Sequence, residues 1–235
     1  MNRAELFRAF EATWPPARCE RIGPFTYREG AEGGSRVSAA TLEGALFDAA
    51  LDDIEARFAR DARPALFQIR SGEDAFDAIL EQRGYRMFDP VACLTAPVER
   101  FAAPKPEDGY VGWPPTAIQC EIWAEGGITA ARVDVMRRAP EPKCSLLGRL
   151  GDMPAGTAFV GLHGEIAVLH ALEIARPARR QGLARAMMGL AADWARRNGA
   201  TQLALQVTRD NTAALALYSS LGMEEAGHYH YRTNT

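Results

Sequence analysis

The stretch that most constrains this chain is an apolar strand that runs into a short arginine-bearing loop and then into a long amphipathic helix. Residues 166–174 read as the strand and 175–182 as the loop. Leu183, Met187, Leu190, Ala191 and Trp194 share one helical face, and Asn198-Gly199 ends the helix. The loop holds Arg179, Arg180 and Gln181, and the small residues Gly182 and Ala184 stand where the helix begins. A helix begun this way points free backbone N–H groups and the positive end of its dipole at one spot. A glycine lets an anion approach the backbone, and two arginines add charged donors. The arrangement suits a pyrophosphate. It is not the dinucleotide fingerprint, which needs more glycines, nor a Walker loop, which needs Gly-Lys-Ser/Thr. On these residues alone, tight helix packing by Gly182 and Ala184 remains the other reading.

The surroundings set the fold class. Residues 202–207 alternate as a strand, Asp210 or Asn211 caps a helix that runs to Leu221, Gly222 stops it, and 223–232 is extended again. Upstream, 144–150 and 157–162 read as strands and 117–123 and 128–138 as helices. The order α-α-β-β-β-α-β-α-β predicts an α/β protein with a mixed central sheet flanked by helices. Residues 97–116, rich in proline and charge, read as a linker. The N-terminal part repeats the end of this order: strand 65–70, helix 74–83, Gly84 as the stop, strand 85–98. The two stop glycines give 222 − 84 = 138, and the same offset places Gln68-Ile69 on Gln206-Val207 and Gly44 on Gly182. Two tandem halves, residues 1–100 and 101–235, are therefore expected.

Two motifs carry a family resemblance. Arg179-Arg180-Gln181-Gly182-Leu183-Ala184 matches Arg/Gln-x-x-Gly-x-Gly/Ala without a gap, after the strand end Ile174-Ala175-Arg176-Pro177. Asn211-Thr212-Ala213-Ala214-Leu215-Ala216-Leu217-Tyr218-Ser219-Ser220-Leu221-Gly222-Met223 matches Asn-x-x-Ala-x-x-Leu-Tyr-x-x-Leu-Gly-Phe except at the final aromatic. In both, the chain resembles the GCN5-related N-acetyltransferase superfamily over roughly residues 105–235. The N-terminal half looks like a degenerate copy. It has Thr41-Leu42-Glu43-Gly44-Ala45-Leu46 at the loop, without arginine, and Leu80 in place of Tyr218.

The resemblance implies the acyl-CoA N-acyltransferase fold and direct transfer of an acetyl group from acetyl-CoA to a primary amine of a small molecule or peptide. It implies contacts to the cosubstrate from Leu172, Glu173, Ile174, Arg179, Arg180, Gln181, Gly182, Leu183, Ala184, Asn211 and Tyr218. The pantetheine arm is expected between strand 166–174 and strand 202–207, hydrogen-bonded by backbone groups of Leu172 to Ile174. Tyr218 is the candidate acid for the leaving thiolate, its other reading being a half-buried aromatic. His170 and Glu173 are the candidate bases. Alternation puts these two on opposite faces unless a bulge intervenes, and Glu173 could instead pair with Arg176 or Arg180. A CoA-binding sensor or assembly module without catalysis is the rival reading.

Composition excludes other classes. A formal net charge of −3 leaves no cationic excess for nucleic acid. No apolar run reaches the ~18 residues of a membrane span, and the start reads as an amphipathic helix bearing Leu6, Phe7 and Phe10 rather than a signal peptide, so a cytoplasmic protein is expected. Cys19, Cys93, Cys120 and Cys144 are too scattered for a metal or redox pair and read as reduced thiols. His228 and His230 share a strand face but lack further ligands, so no metal is expected, and with Tyr229 or Tyr231 they read as the edge of an acceptor pocket. A second copy of the chain is the other candidate partner.

Overall fold

The computed structural model describes residues 2–235 as a mixture of helices and strands. In order they are α1 (Arg3–Thr13), β1 (Arg18–Ile22), β2 (Phe25–Glu29), β3 (Thr41–Leu42), α2 (Asp48–Arg60), β4 (Leu66–Arg70), α3 (Asp74–Gln82), β5 (Arg86–Pro97), β6 (Gly109–Gly112), α4 (Ala117–Glu125), α5 (Ala130–Arg138), β7 (Lys143–Leu150), β8 (Met153–His163), β9 (Ile166–Ile174), α6 (Leu183–Arg197), β10 (Gln202–Thr208), α7 (Thr212–Ser220) and β11 (Glu224–Thr233). The chain divides into two compact units. The first holds Met1–Pro15, Cys93–Val207 and Asn211–Ala226, and the second Pro16–Ala92, Thr208–Asp210 and Gly227–Thr235.

Within the first unit the strands run β5-β10-β9-β8-β7-β6. β9 and β10 are parallel, whereas the β8–β9, β7–β8 and β6–β7 pairs are antiparallel. Residues 155–161 of β8 are buried without alternation, because both faces of the sheet are covered. α6 lies on one face and α1 and α4 on the other. Gly148 and Gly156 let α6 come close, since a Cβ at either would stand 2.6 Å from the Met187 sulfur. Gly161, five residues along β8 from Gly156 and so on the opposite face, meets Thr13 of α1.

The structure revises the reading of 97–116 as a linker. Residues 109–112 form an edge strand in antiparallel register with β7. Two of its four residues are glycines, so it carried no hydrophobic pattern to read.

The second unit contains the three-stranded sheet β1-β2-β3 and the strands β4-β11-β5. Its core gathers Phe25, Tyr27, Phe58, Phe67, Phe76 and Leu80. Adding 138 to the bounds of α3 gives those of α7, and adding it to the start of β5 gives the start of β11. The offset fails at the loop: α2 begins at Asp48 where the shifted α6 would begin at Ala45.

Candidate functional site

The site opens where two parallel strands part. β9 and β10 stay in register from Ile166↔Gln202 to Leu169↔Leu205, and beyond that point β9 pairs only with β8. The cause lies in β9. Phe159 of β8 opposes His170 and Thr157 opposes Glu173, so β9 carries one extra residue at Ala171–Leu172, and Ala171 takes φ 52. This is a β-bulge, which bends the strand and turns its side chains over. The indole N–H of Trp123 on α4 donates to the Ala171 carbonyl at 2.8 Å, so the displaced peptide has a partner. The bulge also resolves the facing question: Glu173 lies on the same face as His170.

A cleft of about 650 Å3 fills the splay, bounded by the end of β9, the loop into α6 and the helix α7. Every cosubstrate residue expected from sequence lines it except Gln181, whose amide turns back to donate to the Pro177 carbonyl at 3.0 Å. The start of α6 is built differently from the starts of α1 and α7. Asn2 and Asn211 cap those helices with their side chains, accepting from Ala4 N at 3.0 Å and Ala214 N at 3.1 Å. The N-cap of α6 is Gly182, in the left-handed region at φ 86, with no side-chain cap. The first N–H groups of α6 therefore face the cleft with no capping side chain, and an anion is the group that suits them.

The arginines divide the work. Arg179 folds back: its Nε donates to the Ile174 carbonyl at 3.0 Å and its Nη2 to Glu173 Oε1 at 2.9 Å. The ion-pair partner of Glu173 is thus Arg179, not Arg176 or Arg180 as the sequence suggested. Arg185, missed in the sequence, lines the cleft and donates to Ser220 Oγ at 2.6 Å, tying α6 to α7. Its signal was present, since it stands three residues after Gly182 and so one turn along the same helix face.

Three titratable side chains were the candidates for proton transfer in the sequence. Tyr218 lies in the wall of the cleft, and burial pushes its phenol up to about 12. Glu173 lines the cleft with its carboxylate against the end of α4, where a Cβ on Gly126 would come 2.5 Å from its carboxyl carbon. His170 is placed elsewhere. It does not line the cleft but is buried under α1, with ring centroids 4.9 Å from Trp14 and 6.0 Å from Phe159. Its Nε2 lies 2.9 Å from Thr13 Oγ1, and that hydroxyl donates to the Ala9 carbonyl at 2.7 Å. The hydroxyl proton is committed, so Nε2 carries the hydrogen of this bond.

The second unit holds the remaining sequence candidates. His230 bonds Asp77 at 2.8 Å, and Arg232 bonds the same carboxylate at 2.7 Å. Tyr229 and Tyr231 are buried and do not line the cleft. Among the described residues, no three His, Cys, Asp or Glu side chains gather as metal ligands, and no helix is long and apolar enough to cross a membrane.

Comparison with known proteins agrees with this geometry. Residues 109–223 match the model of the Acetyltransferase (GNAT) family. A 93-residue stretch, 39% of this chain, is 29% identical to the uncharacterized N-acetyltransferase YobR of Bacillus subtilis (strain 168) and covers 38% of that protein's length. A GCN5-related N-acetyltransferase from Kribbella flavida superposes with a TM-score of 0.72, covering 98% of this chain and 91% of its own, at 21% identity. A tandem GNAT protein from the clavulanic acid biosynthesis pathway gives a TM-score of 0.65 over 94% of this chain and 84% of its own, at 15% identity. At these identities the structural likeness is one of fold.

Proposed function

We propose that this chain, whose residues 109–223 match the model of the Acetyltransferase (GNAT) family, belongs to that family and is an acetyl-CoA-dependent N-acetyltransferase acting on a primary amine of a small molecule or peptide. The observation that carries the reading is the uncapped start of α6 at one end of a cleft whose wall holds the Tyr218 phenol. The N–H groups of Leu183, Ala184 and Arg185, with Arg180, would hold the pyrophosphate. The bulged backbone at Leu172 to Ile174 would hydrogen-bond the pantetheine arm. The acceptor amine, its proton taken by Glu173, attacks the thioester carbon. The carbon–sulfur bond breaks and Tyr218 returns a proton to the departing thiolate. Glu173 is assigned as base over His170 because only Glu173 reaches the cleft.

A thiol-release assay with several acyl-CoA donors against a panel of amines, amino acids and peptides tests this. Steady turnover with a primary amine is expected. Tight CoA binding with no turnover on any amine would favour the non-catalytic sensor instead.

Glu173 makes a sharper prediction through Gly126. That residue has φ −80, so alanine is tolerated by the backbone, yet its methyl would push the carboxylate aside. Gly126→Ala should lower kcat about tenfold with little change in the Michaelis constant for acetyl-CoA or in melting temperature. A variant with wild-type kcat would free Glu173 from any dependence on this contact.

Residues 1–100 fit a degenerate copy that has lost the cosubstrate. At the position that the 138-residue offset assigns to Asn211 stands Glu73, and Glu43 lies in the segment that precedes α2. Arg70 bridges them, with Nη2–Glu43 Oε1 at 2.9 Å and Nε–Glu73 Oε1 at 3.1 Å, and its Nη2 also donates to the Leu42 carbonyl at 2.6 Å. Two carboxylates neutralise this arginine and repel phosphate, and burial pushes the Glu73 carboxyl up. Calorimetry on the whole chain should therefore count about one CoA per chain. A second site of similar affinity would contradict the degenerate-half reading.

A further inference from the structure

We propose that Thr157 is a positioning residue for the acceptor base: its hydroxyl orients the Glu173 carboxylate once the cosubstrate is in place. This rests on the reading of Glu173 as base. Thr157 stands directly across from Glu173 in the β8–β9 register, on the same face of the sheet, and such pairs place their Cβ atoms about 5 Å apart. It is wholly buried, and its Oγ1 has no hydrogen-bond partner. A buried hydroxyl left unpaired is unfavourable, and valine would fill the same space without that penalty. The hydroxyl therefore has a use that packing does not supply.

The neighbouring groups show where that use lies. Glu173 Oε1 is engaged from the solvent side by Arg179. Arg179 also lines the cleft, and it is half exposed. When a pyrophosphate draws the guanidinium away, Glu173 loses its outer partner. The buried hydroxyl beside it then becomes the donor that keeps the carboxylate aimed at the acceptor. A second unpaired donor faces the same layer. Gln119 Nε2 is buried without a partner on α4, seven residues before Gly126 and so on the same helix face. The Gln119 side chain reaches the sheet at Ser145 Oγ, 3.4 Å from its Oε1, and Ser145 pairs with Phe159, two residues from Thr157.

The test is steady-state kinetics on Thr157→Val and Thr157→Ser, each alone and with Glu173→Gln, together with melting temperatures. Thr157→Val should lose about tenfold in kcat while the Michaelis constant for acetyl-CoA stays within about twofold and stability is unchanged or higher. Thr157→Ser should keep most of the activity. In the Glu173→Gln background Thr157→Val should add little, because both act on one group. Full turnover in Thr157→Val, beside an impaired Glu173→Gln, would overturn the role of Thr157 and leave the base intact. Wild-type turnover in Glu173→Gln would instead remove the base, and the positioning role with it. Equal losses in the Val and Ser variants, or losses that multiply with Glu173→Gln, would mark Thr157 as packing.

Discussion

Gly182→Glu should abolish acetyl-CoA binding, with an affinity loss of at least about a hundredfold by calorimetry. Gly182 is the N-cap of α6, and a Cβ built on it meets nothing within 4 Å. The new side chain therefore has room, and its effect on the ligand does not arise from a clash inside the protein. It places a carboxylate where the pyrophosphate would meet the first N–H groups of the helix, and two anions cannot share that end of the dipole. Stability should fall somewhat as well. At φ 86 a residue with a Cβ is strained by about 1–2 kcal/mol, partly offset by the favourable placing of a negative charge at a helix start. Gly182→Ala separates the two effects, because it carries the same backbone strain without the charge. It should lose melting temperature and keep most of its affinity. A folded Gly182→Glu protein that binds acetyl-CoA as tightly as the parent would remove the anion site from α6.

What the sequence revealed and what it hid follow from the range of the interactions. The elements from α4 to β11 were legible because each rests on local periodicity and a stop signal, as with the strand at 202–207 or the helix ended by Gly222. The loop into α6 was legible because glycine, arginine and a helix start are adjacent in the chain. The bulge was not. Ala171 takes φ 52 with no glycine or proline to announce it, and it holds because Trp123, 48 residues away, captures its carbonyl. Without the bulge, His170 and Glu173 read as alternatives on opposite faces. With it they share a face, and what distinguishes them is α1, whose Thr13 and Trp14 cover the histidine from more than 150 residues away. The sequence showed α1 as amphipathic but not which surface it seals. The lack of arginine in the segment 41–46 was visible, whereas the Arg70 bridge between Glu43 and Glu73 needed three segments to meet.

Tyr218→Phe should lower kcat by roughly ten- to a thousandfold while the Michaelis constant for acetyl-CoA stays near its starting value. The ring is buried in the cleft wall, and phenylalanine keeps that packing, so cosubstrate affinity and melting temperature should change little. Burial alone raises the phenol to about 12. The proton is thus on the oxygen throughout the working range, and the fold loss in kcat should be the same at about pH 7 as at about pH 10. Linkage gives a second signature. A folded pKa above the unfolded value of about 10 means that the unfolded chain releases its proton first. The Tyr218 contribution to stability is then complete below pH 10 and is lost as pH rises from 10 to about 12. Its full size is about 3 kcal/mol by order of magnitude, and the Phe variant should lose less stability than the parent over that interval. Tyr218→Ala behaves differently, because the lost ring leaves a cavity worth about 3–5 kcal/mol and damages affinity and turnover together. A Phe variant with normal turnover, chemistry being shown to limit the rate, would make Tyr218 a packing residue. The thiolate would then have to leave without a side-chain acid, since the other titratable candidates are a carboxylate already assigned as base and a histidine sealed beneath α1.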